Sequence, residues 1–111
     1  MKRNDVGDLL KQMSQMRKKM DRVQGELKER YVEASVGDGR VRATLNGQQE
    51  IVKLSIDPEL VKPDEDGEVD ISMLEDLVIA AINQGVERSK ALMNDEMDKA
   101  SGGLFQGMGF F

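Results

Sequence analysis

The stretch "RVRATLNGQQEIVKLSIDPEL", residues 40–60, decides the fold. Val41, Ala43 and Leu45 alternate with Arg40, Arg42 and Thr44, and Val52, Leu54 and Ile56 alternate with Lys53 and Ser55. Successive side chains of a strand point to opposite faces, so each run predicts a strand with one apolar and one polar face. Asn46-Gly47 between them is a hairpin signal, because both residue types tolerate positive φ. Asp57-Pro58 ends the second run, since proline has no N–H to give to a ladder. Just upstream, Val32, Ala34 and Val36 alternate with Glu33 and Ser35, and Gly37-Asp38-Gly39 turns the chain. Three short strands joined by tight turns predict an antiparallel sheet.

Helical patterns flank the strands. Val6, Leu9, Met13, Met16, Met20, Val23 and Leu27 are spaced alternately three and four residues apart, which is the a/d stripe of an amphipathic helix. Asp5 is the expected N-cap, and Asp8 suits the positive helix start. Gly25 weakens the last turn by roughly 1 kcal/mol relative to Ala. Methionine is an adaptable filler, so the stripe reads as packing surface. A second helix is predicted from about Ile71, with Ser72-Met73-Leu74-Glu75 in capping-box form and Asp70 as the alternative cap. Leu74, Leu77, Val78, Ala81, Ile82 and Gly85 form its stripe, and Ser89, Leu92, Met93 and Met97 extend it less strictly. The run from Leu77 to Ile82 is apolar on every side, and such a helix must be covered on every side. Gly85 within it permits close approach of another backbone. The order is α-β-β-β-α, an α+β fold in a single domain over residues 1–111, with 101–111 a Gly-rich C-terminal tail.

Lengths then matter. A first helix of ~23 residues runs for ~35 Å, whereas a six-residue strand covers only ~20 Å. The stripe continues along the overhang and needs a partner. A lone protomer would expose a large apolar patch, so the expectation is a homodimer with helical arms extending from a shared sheet core. Leu77, Val78, Ala81, Ile82 and Gly85 are its expected dimer and core residues.

The 111 residues include neither Cys nor His. That excludes disulfides, the usual zinc sites, thiol nucleophiles and histidine acid–base chemistry. No pair of carboxylates stands in an apolar setting that marks an acid–base couple. Gly37-Asp38-Gly39 does not extend to a dinucleotide fingerprint, and Gly102 and Gly107 lack the lysine of a phosphate loop. In "KPDEDGEVD", residues 62–70, a calcium loop centred on Gly67 would need ligands at Lys62 and Met73, which neither residue supplies. No enzyme activity, cofactor, metal or small-molecule substrate is expected. The first residues carry no apolar run behind their charges, and no segment is long and apolar enough for a membrane span.

Charge is divided unevenly. Residues 1–30 hold nine Lys/Arg against five Asp/Glu, net +4, while residues 31–111 hold seven against sixteen, net −9. A polyanion meets the local field, because the Debye length is ~8 Å at physiological salt. With Val6 as position a, Lys11, Arg17, Lys18, Lys19 and Arg22 fall at f, e, f, g and c, off the seam and open to phosphate. They are the candidate DNA-binding residues. Arg88 and Lys90, with Lys99, are secondary ones on the second helix, and Arg40, Arg42 and Lys53 on the outer sheet face come after them. No aromatic residue interleaves with the basic block, which argues against single-strand stacking.

"GDGRVRATLNGQQEIVKLSIDPEL", "MLEDLVIAAINQGVERSKALMNDEM" and "SGGL" together resemble the YbaB/EbfC family of nucleoid-associated proteins. The specific parts are Asn46-Gly47, Ile56-Asp57-Pro58-Glu59-Leu60 and Leu74-Glu75-Asp76-Leu77 with Ala81 and Asn83. The resemblance covers roughly residues 4–104. It implies a tweezer-like bacterial homodimer in the cytoplasm and nucleoid that binds double-stranded DNA and influences nucleoid organisation and gene expression. It transfers no list of DNA-contacting residues. The longer acidic loop, residues 64–70, and "FQGMGFF" at the end depart from many relatives. The alternative expectation is a helical-arm scaffold or chaperone-like module that holds another protein on its Met-rich surface.

Overall fold

A computed structural model describes residues 3–102. The chain runs α1 (Arg3–Leu27), β1 (Tyr31–Val36), β2 (Val41–Asn46), β3 (Ile51–Ile56), a 3-10 turn (Pro58–Val61) and α2 (Ile71–Ala100). The expected α-β-β-β-α order is therefore present. The expected tail lies, from residue 103 onward, outside the described residues.

The sheet has the order β1-β2-β3, all antiparallel. Val36, Val41 and Ile56 stand in one row across it, and Ala34, Ala43 and Leu54 in the next. Asp38 and Gly39, at the centre of the β1–β2 turn, have φ of 57° and 84°. Positive φ at both central residues is what a type I′ hairpin turn requires. A bulge follows Thr44: this residue faces Lys53, while Leu45 faces Ile51, leaving Val52 as the extra residue.

The second hairpin is where Asn46-Gly47 lead, but for a different reason than expected. Neither residue has positive φ, and Gln49 does, at 63°. Asn46 instead accepts from the Gln48 and Glu50 N–H groups through its side-chain oxygen, at 2.9 and 3.1 Å. Gly47 is needed for closeness. Its N–H donates to the Leu27 carbonyl at 2.8 Å, and a β-carbon there would lie 2.8 Å from that same oxygen.

Two capping expectations are refined. α1 begins at Arg3, so Asp5 lies inside the first turn and is not the N-cap; a carboxylate there still meets the positive end of the helix. At α2 the cap is Asp70, whose side chain accepts from the Met73 N–H at 3.0 Å. Asp57 caps the short turn that follows β3, which tucks Leu60 into the core. Within the acidic loop, Asp64 accepts from the Asp66 and Glu68 N–H groups, so this loop is closed by its own side chain.

The core comprises Val41, Ala43, Leu45, Leu60 and Ala81, with Val32, Val36, Leu74, Leu77, Val78 and Val86 packed around it. Gly85 lets α2 come down on the sheet: a β-carbon there would overlap Leu45 Cδ1. Ser89, fully buried, donates to the Asn46 carbonyl at 2.6 Å and accepts from the Gln49 N–H at 3.1 Å. The hairpin tip thus holds both helices, α1 through Leu27 and α2 through Ser89.

α2 packs on β1 and β2. Strands are ~4.8 Å apart and a helix is ~10 Å across, so one helix covers two strands. The third is left open. Leu54 and Ile56, on the apolar face that the alternation predicts, are 41% and 37% exposed, and Val52 is also exposed.

The Leu27–Gly47 contact predicts the effect of Gly47→Ala. The added methyl forces the end of α1 away from the hairpin, and stability falls by about 1–3 kcal/mol. A lower urea midpoint with an unchanged m-value is the expected result, and an unchanged midpoint would contradict the contact.

Candidate nucleic-acid interface

α1 is much longer than the strands it leads into. Its 25 residues extend ~37 Å in a molecule whose long axis is 81 Å. Leu27 is buried, Met20, Val23 and Gln24 are half-buried, and every residue from Asp5 to Lys19 is exposed. The α1–α2 contact therefore reaches only the last turns of α1. There the Arg30 guanidinium lies 3.5 Å from Glu96, beside Val23, Glu26 and Leu27.

The basic residues sit on this arm in a defined pattern. At about 100° per residue, Lys11, Lys18 and Arg22 fall within about 40° of one another around the helix axis. Arg17 and Lys19 stand about 100° to either side of Lys18. The apolar seam occupies the opposite side. Lys11, Arg17, Lys18, Lys19 and Arg22 are all exposed. Among the described residues, only Arg22 of these five has an ion-pair partner, Glu26 at 3.9 Å with both side chains 67% exposed. Such a surface contact is weak and leaves Arg22 available.

The secondary candidates differ. Arg88 Nη1 donates to the Glu33 carbonyl, so it ties α2 to β1. Lys90 is exposed. Lys99 lies 3.0 Å from Asp95 and 3.8 Å from Glu96; the hydrogen bond to Asp95, with that carboxylate's charge, raises its pKa above the usual lysine value. On the outer sheet face, Arg42 Nε donates to the Gly39 carbonyl at 3.2 Å, and Lys53 shares a row with Thr44 and Glu33. That face is mixed in sign.

Of the expected dimer and core residues, Ala81 and Gly85 are buried within the chain. Leu77, Val78 and Ile82 are half-buried. Ile79, in the same apolar run, is 56% exposed. It lines an open groove with Ile56, Leu74, Glu75 and Val78. The sequence flagged the run but not which member would remain outside; a sheet one strand wider than its helix supplies the reason.

A long helix, basic along one face, beside a three-stranded sheet with one open flank defines an α+β protein whose first helix projects as an arm. Residues 1–104 match the YbaB/EbfC DNA-binding family, and the chain belongs to that family. This is a family of DNA-binding, nucleoid-associated proteins, not of enzymes. A nucleoid-associated protein of Acetivibrio thermocellus is 40% identical over 100 residues, covering 90% of this chain and 84% of that one. One of Moorella thermoacetica is also 40% identical, covering 90% and 91%. The crystal structure of the uncharacterized protein HP0035 from Helicobacter pylori shares the fold, with a TM-score of 0.66 at 23% identity over 86% of this chain and 91% of that one.

Arg88 has a stability role that can be read separately. Arg88→Gln removes a charged donor from the Glu33 carbonyl, and at this exposed position the expected loss is about 1 kcal/mol. Thermal denaturation measures it; no change would show that the bond contributes nothing.

Proposed function

We propose that the protein is a homodimer that binds double-stranded DNA with the basic faces of its two α1 arms, in the cytoplasm and nucleoid, and so influences nucleoid organisation and gene expression. The observation that carries this reading is the strip formed by Lys11, Lys18 and Arg22, flanked by Arg17 and Lys19 and set opposite the apolar seam. The strip is ~17 Å long, and a duplex presents one phosphate charge per about 3.4 Å of axis on each strand, so the strip spans several phosphates. Contacts of this kind give affinity without reading base sequence. Arg88 and Lys90 are secondary contacts. The relatives named as nucleoid-associated proteins support the same reading.

The dimer is supported by the open flank of the sheet. Leu54, Ile56 and Ile79 leave apolar surface at one edge of a monomer, and Ile56, Leu74, Val78 and Ile79 line an open groove between β3 and α2. A two-fold pairing there would bring Ile79 of each α2 against the other protomer and point both arms away from a common core.

Duplex affinity should fall at least tenfold between 50 and 200 mM salt. The triple variant Arg17→Gln, Lys18→Gln, Lys19→Gln should show a shallower salt slope; an unchanged slope would remove these three from the contact. A wild-type protein that binds no duplex at low salt would favour the protein-holding scaffold instead. For the dimer, Ile79→Glu should lower the sedimentation mass from two chains to one at micromolar concentration, and a wild type of single-chain mass would defeat the pairing.

A further inference from the structure

The seam of α1 is an interface that stops halfway. The same three-and-four spacing runs from Val6 to Leu27, but the half-buried and buried positions begin only at Met20. Val6, Leu9, Met13 and Met16 are all exposed, with Leu10 beside them; Met13 reaches 61%. The uncovered part is ~15 Å long, about three helical turns.

We propose that this uncovered seam is a docking surface for an acidic amphipathic helix of another protein. The uncovered seam is continuous with the existing α1–α2 contact. On its last turns α1 already accepts a helix, and α2 ends at Ala100 while the seam goes on. An alternating three-and-four spacing is the pattern by which one helix receives another.

Charge favours an acidic partner. The covered half is flanked by an ion pair in which α1's side supplies the cation, Arg30, and α2 the anion, Glu96. Along the uncovered half the positions bordering the seam include Arg17 and Lys19, with the rest of the basic strip behind them. Another copy of α1 would bring like charges to the same border, which disfavours arm-to-arm pairing. A helix with Glu or Asp at its border positions completes the pattern.

The exposed surface is small, so the complex belongs to the weak, transient class. Methionine suits that class, because its unbranched side chain repacks around different partners. The seam and the Lys11–Lys18–Arg22 strip lie on opposite sides of one helix. If the arm also holds DNA, as proposed above, it can carry both ligands together; the helix docking itself does not depend on the DNA reading.

The test uses the full chain and a fluorescent synthetic peptide of three heptads, with Leu at a and d and Glu at e and g. A second peptide has Gln at e and g. By fluorescence anisotropy the Glu peptide should bind with a micromolar Kd and the Gln peptide at least tenfold more weakly. The double variant Leu9→Ala, Met13→Ala keeps good helix formers and removes seam surface. It should weaken the Glu peptide at least tenfold while helical circular dichroism and duplex affinity stay within twofold. Equal binding of the Glu peptide by variant and wild type would overturn the proposal, since attraction would then be charge alone. So would equal binding of both peptides. Two further results would assign the seam elsewhere and equally overturn it: a wild-type sedimentation mass twice that of the double variant, showing arm-to-arm pairing, or tenfold tighter peptide binding after removal of residues 103–111, showing that the chain covers its own seam.

Discussion

A helix of 25 residues is joined to strands of six residues, and this mismatch of reach leaves part of the helix without cover. The helix advances ~37 Å and a strand ~20 Å. A sheet this short can anchor only one end of such a helix. The other end must project, and its side chains keep the amphipathic order of a buried helix without its cover. A second mismatch acts across the sheet, where one helix covers two of the three strands. The first leaves a basic arm with an apolar seam, and the second leaves an apolar flank at β3.

The hairpin tip at Asn46–Glu50 fixes the direction of the arm. Gly47 brings the backbone against the Leu27 carbonyl, and Gln48 Nε2 donates to the Gln24 carbonyl at 2.7 Å. On the other side Ser89 closes hydrogen bonds to Asn46 and Gln49 inside the core. A buried carbonyl without a donor costs about 1–3 kcal/mol, so this joint tolerates little rearrangement. Positions outside the basic strip therefore govern where Lys11, Lys18 and Arg22 lie relative to the sheet.

Much of this is legible in the sequence because the decisive signals are local. The alternation in residues 40–56, the three-and-four spacing of α1 and the Asp70 cap each depend on neighbours a few residues apart. The role of Asn46-Gly47 was legible as a turn but not in mechanism. Positive φ falls on Gln49, and Gly47 is required by Leu27, twenty residues earlier in the chain. The exposure of Leu54 and Ile56 escaped the pattern for a similar reason. Alternation tells which face a side chain takes, not whether a neighbouring helix is wide enough to cover it. The basic residues of α1 are readable as lying off the seam, and they remain uncovered because α2 meets α1 on the seam side; how much of the seam stays open follows from where α2 ends. Asp5 was misplaced by one turn because an acidic residue suits both a cap and a first helical turn.

In the proposed function duplex DNA lies along the basic face of α1, and lysine reactivity tests that placement amine by amine. Acetylation rates measured by mass spectrometry, with and without a duplex, report each amine separately. Lys11, Lys18 and Lys19 should be protected by the duplex, while Lys62 in the acidic loop and Lys99 beside Asp95 should react as before. Protection of Lys62 and Lys99 with Lys11 and Lys18 left reactive would contradict the account.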